Sequence, residues 1–557
     1  MVRDVGPSRG LRDQVEAWIS VDPDHETRVA LQALLDADDM QSLGELFGGH
    51  LEFGTAGIRG VMGPGPMRMN RVVVRRATAG LMAYLPPGAT VVIGHDARKN
   101  SDVFALDVAR VVAGAGGRAA LLPPHAPTPL VAFAVRHLAA DAGVMCTASH
   151  NPATDNGYKV YSVDGAQVVS PVDERIAAAI ADIDGVIDLA DEFGPRIERL
   201  GSDIERAYVR HVSQLVATGP ATDIRVVYSP LHGVGARLTL AAFDAAGFDR
   251  PDVVSSQRDP DPTFPTVETP NPEDGNAVRL TQAAAERVGA DVALIHDPDA
   301  DRLGVLVPVG GSWRPLTGNE IGLLIADHIL NRTTGTDRLV VDTVVSSSAL
   351  ARLAAAHGVH HARTLTGFKW IVRPAIEHPE WRFVFGYEEA LGFSVDSYVR
   401  DKDGIASALV FAELVATLKA TGQSVDDRLA ALAREHGLFA TASWTLGAER
   451  EHQVSDAMAR LRGALPSKIG AHTVVSTADF LAGNGLPPTD LVEFSLDSRT
   501  RLSIRPSGTE PKLKVYAEVS SLVRDGAAYD AAVQRADAQL RQVRAAVVPM
   551  LRALLND

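Results

Sequence analysis

The sequence has a single cysteine, Cys146, no long apolar run and few aromatic residues, which make up 5% of its 557 positions. One cysteine excludes an intrachain disulfide, and we therefore expect a reducing, cytoplasmic location. Because no run of about 18 apolar residues is present, the sequence predicts no transmembrane helix. The first residues also lack the apolar core of a secretory signal.

Positive charge is the scarcer sign, with 54 Lys and Arg against 69 Asp and Glu and a formal net charge of −15. Such an excess argues against general affinity for nucleic acid or for anionic membrane surfaces. It does not exclude an anionic small molecule, because a few cationic residues in a cleft can reverse the local field. We therefore expect a small-molecule substrate and neither a nucleic-acid nor a membrane partner; the chain itself is expected to be a monomer or homodimer.

Familiar motifs of nucleotide and nucleophile chemistry are missing as well. The sequence has no Walker A motif, and Gly114–Ala119 fits a dinucleotide pattern only in the wrong order, after a predicted helix and before a predicted strand. Ser149 does not lie in a G-x-S-x-G turn, because Thr147 and Asn151 occupy the glycine positions. These absences argue against a P-loop enzyme, a dinucleotide-binding enzyme and a serine hydrolase.

Short apolar runs alternate with amphipathic stretches along most of the chain, a pattern typical of βαβ units and largely parallel sheets. A length of 557 residues exceeds what one hydrophobic core usually serves. The alternation restarts near residues 224 and 313, and from about 436 longer strand-like runs precede one terminal helix. The prediction is an α/β fold: three α/β domains with mixed, largely parallel sheets, then a C-terminal α+β domain. We place the domains at residues 1–205, 206–312, 313–432 and 433–557.

The same pattern predicts individual elements. A charged, helix-patterned segment, residues 8–48, is expected to pack on the first domain. The clearest elements of that domain are predicted strands at Ala89–Gly94, Arg118–Leu122 and Asp141–Cys146 and helices at Ser101–Gly114 and Leu130–Leu138.

Ser149 lies in the loop Thr147–Pro152, directly after the predicted strand that ends at Cys146. Ligands gather beyond the carboxyl ends of strands in open α/β sheets, so a serine here can act as a nucleophile or carry a phosphate. Lys159 is near enough in sequence to offset negative charge or move a proton at the same site. The alternative interpretation is a polar turn in which the serine only caps the backbone.

Three carboxylates, Asp297, Asp299 and Asp301, follow the predicted strand Asp291–Ile295 at alternate positions. Carboxylates this close repel one another unless a cation lies among them, and their oxygens suit Mg²⁺. An EF-hand is excluded because Arg302 occupies the glycine position and Pro308 the final glutamate position. A solvated acidic turn is the alternative.

Two further loops carry polar side chains suited to binding small-molecule ligands. Glu388 and Glu389 follow an apolar stretch and could bind vicinal hydroxyls, with Lys402 close behind, although a charged surface turn explains them equally well. Arg505–Lys512 combines hydroxyls, a tight glycine turn and cations, a combination typical of a phosphate cradle. An ordinary hairpin loop is the alternative there.

Taken together, the stretches FGTAGIRG, TASHNP with DNGYK, DPDADR, GYEEALG and RPSGTEPK resemble the α-D-phosphohexomutases in motif order and spacing, over about residues 50–520. The resemblance implies four domains around a central cleft and an enzyme that is active when Ser149 is phosphorylated. It implies Mg²⁺ and a sugar bisphosphate activator such as glucose 1,6-bisphosphate.

The resemblance also implies roles for particular residues. The catalytic set would be Ser149, Lys159, Arg59 and His150, and Mg²⁺ would be held by Ser149, Asp297, Asp299 and Asp301. Substrate would contact Glu388, Glu389, Lys402, Arg302, Arg505, Ser507, Gly508 and Thr509.

The expected reaction interconverts a hexose 1-phosphate and a hexose 6-phosphate, of glucose or mannose, through a sugar bisphosphate. Ala390 departs from relatives that carry serine in the sugar loop, and the GYEEALG form is closer to phosphopentomutases and glucose-1,6-bisphosphate synthases. Those two activities are therefore alternatives. A non-catalytic sugar-phosphate sensor and a Mg²⁺ phosphatase are alternatives of other classes.

Overall fold

The computed structural model describes residues 10–54, 57–183, 187–217, 223–508, 511–523 and 529–556. It divides into two compact units. The first unit contains Met1–Pro315 and Leu391–Ala416, and the second contains Leu316–Ala390 and Thr417–Asp557.

Three helices precede the first sheet: α1 (Leu11–Val21), α2 (His25–Asp36) and α3 (Met40–Phe47). The side chains of Asp24 and Asp39 cap the second and third of them by accepting backbone N–H bonds. Their apolar faces enclose Trp18 and Leu31 in a cluster that also contains Val72, which lies in the helix Arg71–Tyr84 of the first domain. The predicted N-terminal helical segment and its packing on the first domain are thus confirmed.

The first sheet has six strands in the order β1-β5-β4-β2-β3-β6. Strands β4, β2, β3 and β6 are parallel, whereas β5 is antiparallel to both β4 and β1. A core that includes Val91, Val108 and Val144 fills one side of this sheet. The elements are β1 (Ile58–Val61), α4 (Arg71–Tyr84), β2 (Thr90–His95), α5 (Ser101–Gly114), β3 (Arg118–Leu121), α6 (Thr128–His137), β4 (Ala142–Cys146), β5 (Asp155–Ser162), α7 (Val172–Ala181) and β6 (Ile197–Arg199).

The second sheet, also in the first unit, has the order β11-β10-β9-β7-β8. Strand β7 is parallel to β8 and β9, and β10 is antiparallel to β9 and β11. The elements are α8 (Asp203–Ser213), β7 (Val226–Ser229), α9 (Gly235–Ala246), β8 (Asp252–Val253), α10 (Arg279–Val288), β9 (Val292–Ile295), β10 (Gly304–Val309) and β11 (Ser312–Pro315).

The second unit contains the parallel strands β13, β12 and β14, in that spatial order. A capping box between Thr317 and Glu320 begins the helix Gly318–Arg332, and Arg428, in the helix Val425–His436, donates to both carboxylate oxygens of Asp327. The elements are α11 (Gly318–Arg332), β12 (Arg338–Thr343), α12 (Ala349–His357), β13 (His360–Thr364), α13 (Phe368–Ile371), α14 (Arg373–Glu377), β14 (Arg382–Glu388) and α16 (Val425–His436). Between β14 and α16 the chain forms β15 (Gly392–Ser394) and α15 (Gly404–Ala420).

The last sheet is antiparallel, with the order β16-β21-β20-β19-β18-β17. The terminal helix packs on it through a regular apolar face that includes Leu540, Val543 and Val547. The elements are β16 (Leu438–Gly447), α17 (Glu451–Gly463), β17 (Lys468–Ile469), β18 (His472–Asp479), β19 (Val492–Leu496), β20 (Thr500–Pro506), β21 (Lys512–Ser521) and α18 (Tyr529–Asn556).

The predicted fold class, α/β with mixed sheets followed by an α+β domain, is confirmed by these four sheets. The elements predicted in the first domain are present within about two residues of their expected ends, and the domain limits remain a prediction. No single described helix is long and apolar enough to cross a membrane; the bent pair α15 and α16 meets that criterion only when taken together.

Candidate active site

Ser149 lies just beyond the carboxyl end of β4 and is buried, with 3% of its surface exposed. Its backbone is left-handed, with φ 54°, a conformation that costs a non-glycine residue about 1–3 kcal/mol and persists only where the surroundings enforce it. Its N–H donates to Thr147 Oγ1 at 2.9 Å. The loop thus holds Ser149 in a strained, defined position, which a simple capping turn does not require.

The acidic loop follows β9 at the same end of the second sheet. Asp297, Asp299 and Asp301 are 0%, 0% and 1% exposed, and their carboxylate oxygens lie within 4.8 Å of one another. This burial rules out the alternative of a solvated acidic turn. Ser149 Oγ donates to Asp297 Oδ2 at 2.8 Å, so the structure brings the predicted serine and acidic loops together.

Two lysines supply positive charge to the three carboxylates. Lys159, on β5, donates from Nζ to Asp299 Oδ2 at 2.8 Å and to Asp301 Oδ2 at 3.1 Å. Lys402 Nζ lies 3.3 Å from Asp301 Oδ2. The structure therefore places Lys402, predicted among the substrate-binding residues, beside the acidic loop of the first unit.

Arg302 continues the acidic loop. Its backbone N–H donates to Asp297 Oδ1 at 3.0 Å, and its Nε lies 4.0 Å from Asp297 Oδ2. Gly404 allows this arrangement, since a Cβ there would lie 2.5 Å from the Arg302 carbonyl oxygen. The sequence D-K-D-G after β15 is thus packed directly against the acidic loop.

The protonation of the three carboxyl groups differs because their neighbours differ. Burial, together with the charges of Asp299 and Asp301, raises the pKa of Asp297 well above its ordinary value. Burial also acts to raise the pKa of Asp301, but Lys159 and Lys402 outweigh it and hold that pKa low. The pKa of Lys159 is raised, because the attraction of Asp299 and Asp301 outweighs the opposing effect of burial. Lys159 is therefore a cation at neutral pH.

The acidic loop has the donor set of a divalent-cation site. Asp299 Oδ1 and Asp301 Oδ1 are buried without a hydrogen-bond donor, a costly arrangement unless something positive meets them. Thr128 Oγ1 donates to Asp299 Oδ2 at 2.6 Å and fixes that carboxylate. Clustered carboxylate oxygens that accept no hydrogen bond are suited to coordinating Mg²⁺, so the residues present fit the predicted metal.

Arg59 and His150 flank the serine. Arg59 Nη1 donates to Asn151 Oδ1 at 3.0 Å. Gly57, at φ 77°, allows β1 to approach β5 closely here, because a Cβ at this residue would lie only 2.0 Å from the Tyr158 carbonyl oxygen. His150 Nδ1 lies 3.2 Å from Ser149 Oγ. Burial, with the charges of Arg302 and Arg59, lowers the pKa of His150 well below its ordinary value, so its ring is neutral.

The other predicted substrate residues belong to the second unit. Glu388 ends β14, and Glu389 follows it with its carbonyl oxygen against Gly318, where a Cβ would lie 2.0 Å away. Arg505 lies on β20, and the turn after it is closed by the Ser507 N–H bond to the Lys512 carbonyl oxygen at 2.8 Å. Gly508 is exposed, and Thr509 lies outside the described residues. The substrate roles of these residues remain predictions.

Three residues of the site were not predicted from the sequence: Arg98, Thr128 and Thr147. Arg98 donates to the carbonyl oxygen of Ser149, 51 residues away, and Thr128 binds Asp299, 171 residues away. One signal was available, because Asp96 and Arg98 follow the apolar strand β2 as Ser149 follows β4.

Comparison with known proteins matches the chain to four domain families, one after another along its length. They are "Phosphoglucomutase/phosphomannomutase, alpha/beta/alpha" domain I over residues 50–186, domain II over 206–310 and domain III over 317–436, and the "C-terminal domain" over 453–534.

Individual relatives carry several substrate names. A probable phosphomannomutase of Haemophilus influenzae is 40% identical over 465 residues, covering 81% of this chain and 93% of that protein. The phosphopentomutase of Homo sapiens is 32% identical and covers 92% of each chain. A phosphoglucomutase of Staphylococcus epidermidis is 34% identical, covering 84% of this chain and 91% of that protein.

A solved structure supports the fold independently. The putative phosphomannomutase from Thermus thermophilus aligns with a TM-score of 0.70 at 23% identity, covering 90% of this chain and 99% of that one.

Proposed function

The chain belongs to the phosphoglucomutase/phosphomannomutase family, and from this premise we propose that it interconverts a hexose 1-phosphate and its 6-phosphate through phosphorylated Ser149. The family identifies an intramolecular phosphotransferase. The main support for Ser149 as the phosphoryl carrier is the hydrogen bond from its Oγ to Asp297, one of three buried carboxylates that Lys159 accompanies.

The phosphoryl group starts on Ser149. In the first half-reaction the bond from Ser149 Oγ to phosphorus breaks and a bond from the free sugar hydroxyl oxygen to phosphorus forms. The sugar hydroxyl loses its proton and Ser149 Oγ gains one, giving a sugar bisphosphate and a free serine. In the second, the bisphosphate presents its other phosphate: the bond from that sugar oxygen to phosphorus breaks and a bond from Ser149 Oγ to phosphorus forms. The serine loses its proton, the sugar oxygen gains one, and the isomeric sugar monophosphate leaves. Glucose 1,6-bisphosphate, or another sugar bisphosphate, would load the serine initially.

Asp297, Asp299 and Asp301 would hold Mg²⁺ together with an oxygen of the phosphoserine. When bound, Mg²⁺ supplies positive charge that offsets the phosphoryl oxygens. Arg59 and Lys159 lie beside the serine loop and contribute further positive charge at the same point.

Phosphoryl transfer to and from Ser149 also requires a proton to leave and return to its Oγ. When Ser149 Oγ is rephosphorylated it gives up its proton; its hydroxyl donates to Asp297 Oδ2 at 2.8 Å, and His150 Nδ1 lies 3.2 Å from it. Lys159 is protonated in the resting site, so it would act as an acid that delivers a proton to the serine oxygen as its phosphate leaves. Positioning and charge compensation would supply the rest of the catalysis.

In the second unit, Glu388 and Glu389 would bind sugar hydroxyls. Arg505, Ser507, Gly508 and Thr509 would bind the phosphate that is not being transferred. A second candidate is pentose 1-phosphate, favoured by Ala390, which removes one hydroxyl from the sugar loop, and by the human phosphopentomutase, which aligns over 92% of this chain.

The test is a comparison of kcat/KM for glucose, mannose and ribose 1-phosphates with Mg²⁺ and catalytic bisphosphate, scoring isomer and free phosphate separately. Isomer formation with hexose preference supports the first proposal, and pentose preference supports the second. Free phosphate as the sole product would instead indicate a phosphatase. Bisphosphate accumulating faster than isomer would indicate a bisphosphate synthase.

A further inference from the structure

Arg98 lies three residues beyond the end of β2 and is buried, with 3% of its surface exposed. Its two terminal nitrogens donate to four backbone carbonyl oxygens of one short segment. Nη2 donates to Ser149 at 2.5 Å and to Asn151 at 2.6 Å, and Nη1 donates to Pro152 at 2.7 Å and to Asp155 at 3.2 Å. A single guanidinium therefore ties together the backbone of the whole serine loop.

The surroundings of Arg98 hold it in this position. Asp96 Oδ2 lies 3.3 Å from Nε, and the guanidinium carbon lies 5.0 Å from the centroid of the Phe264 ring. The terminal nitrogens point at the loop backbone, so they are not offered to a substrate phosphate. Arginine suits this task because its donors form a rigid planar fork.

Asp96 also anchors the loop from a second direction. Its Oδ2 accepts from Thr147 Oγ1 at 2.6 Å, and Thr147 Oγ1 in turn accepts the Ser149 N–H at 2.9 Å. The left-handed backbone of Ser149, with φ 54°, is therefore held on its N–H side by Thr147 and on its carbonyl side by Arg98.

We propose that Arg98 is a positioning residue for phosphoryl transfer, which fixes the backbone of Ser149 so that its Oγ faces Asp297 in both half-reactions. The proposal rests on the carrier role of Ser149. The same oxygen must release and then recover a phosphoryl group in line with the partner oxygen, and a misplacement of about 1 Å can cost about 100-fold in rate. Arg98 acts through the loop and contacts no reacting atom.

The test compares Arg98→Lys with a matched control, Arg338→Lys. Arg338 is also buried and donates to the carbonyl oxygens of Gly335, Leu330 and Thr333, but it belongs to the second unit, and none of these partners is in the serine loop. Lysine keeps the positive charge in both variants but lacks the planar set of guanidinium N–H donors. We expect kcat of R98K to fall about 100-fold with KM within threefold of wild type. We expect R338K to stay within threefold of wild type in both constants.

A second pair of variants covers the case in which R98K does not fold. Thr147→Val removes the hydroxyl that joins Asp96 to the Ser149 N–H, and Thr147→Ser restores it. We expect kcat to fall at least tenfold in T147V and to recover in T147S, with KM unchanged in both. The ³¹P resonance of phosphoserine 149 should broaden or split in R98K and T147V but not in R338K or T147S, as expected of a loop with more than one conformation.

Equal losses in R98K and R338K, or loss through KM alone, would overturn the proposal, as would equal kcat values for T147V and T147S. Ser149→Ala separates this result from the carrier role. If S149A retains turnover, the carrier proposal fails whatever Arg98 does. If S149A is inactive while R98K and T147V match wild type, the positioning proposal alone fails.

Discussion

Lys159 gives the sharpest test of the electrostatics of the site. Its Nζ contacts Asp299 and Asp301 at 2.8 and 3.1 Å, and all three side chains are buried. Replacing it with methionine keeps much of the volume and leaves the carboxylates with one cation fewer. Removing one partner of a buried ion pair typically costs about 3–5 kcal/mol. For a domain of about 150–250 residues this lowers the melting temperature by about 6–20 °C.

The assay is thermal unfolding of wild type, Lys159→Met and Lys159→Arg, each in metal-free buffer and with saturating Mg²⁺. We expect K159M to be the least stable without metal and to gain the most from Mg²⁺, because the cation replaces the missing positive charge. K159R keeps the charge and should retain most of the stability. Its guanidinium cannot give up a proton, so kcat should fall at least about 100-fold if Lys159 carries one.

Two results would refute this reasoning. If the melting temperature of K159M equals that of wild type in metal-free buffer, Lys159 does not supply the charge that holds the three carboxylates together. If K159R turns over at the wild-type rate, Lys159 carries no proton in the reaction.

Three further predictions concern other parts of the chain. Burial raises the pKa of Asp403 to about 7 from an ordinary value near 3.8, so stability present at acid pH is lost as the pH rises through 7, by at most about 4 kcal/mol. Asp403→Asn should therefore shrink the difference in urea midpoint between pH 5 and pH 8.5, and an unchanged difference would contradict the assignment. Arg505→Met should raise KM at least tenfold with kcat less affected, measured by steady-state kinetics, because a charged hydrogen bond to phosphate is lost; an unaltered KM counts against the phosphate role. Ala390→Ser should raise kcat/KM for hexose over pentose 1-phosphate by about 3–10-fold through one added hydrogen bond, and an unaltered ratio would show that this position does not select the sugar.

Much of the fold could be predicted because its signals are local. Ala142–Cys146 is a short apolar run that ends at a polar loop, and its strand was predicted within one residue. The start of α6 was predicted two residues late, at Leu130, although Pro129 after Thr128 is a common signal for a first helical turn. The acidic loop was predicted because three carboxylates lie within five positions of one another.

The rest of the site depends on contacts that no local pattern encodes. Arg98 and Thr128 meet their partners only after β2, β4 and β9 bring their carboxyl ends together. Lys402 likewise meets Asp301 through the fold and not through closeness in sequence, because the chain from Leu391 to Ala416 belongs to the first unit.

The most direct measurement follows a labelled phosphate through the enzyme. Phosphoenzyme prepared with isotopically labelled phosphate on Ser149 is mixed with unlabelled sugar phosphate in a single turnover, and label is counted on protein and sugar over time. We predict that label leaves Ser149 at a rate at least equal to kcat and enters the sugar phosphates, and that S149A neither takes up label nor turns over. Label that stays on the protein while product forms would contradict phosphoryl transfer through Ser149.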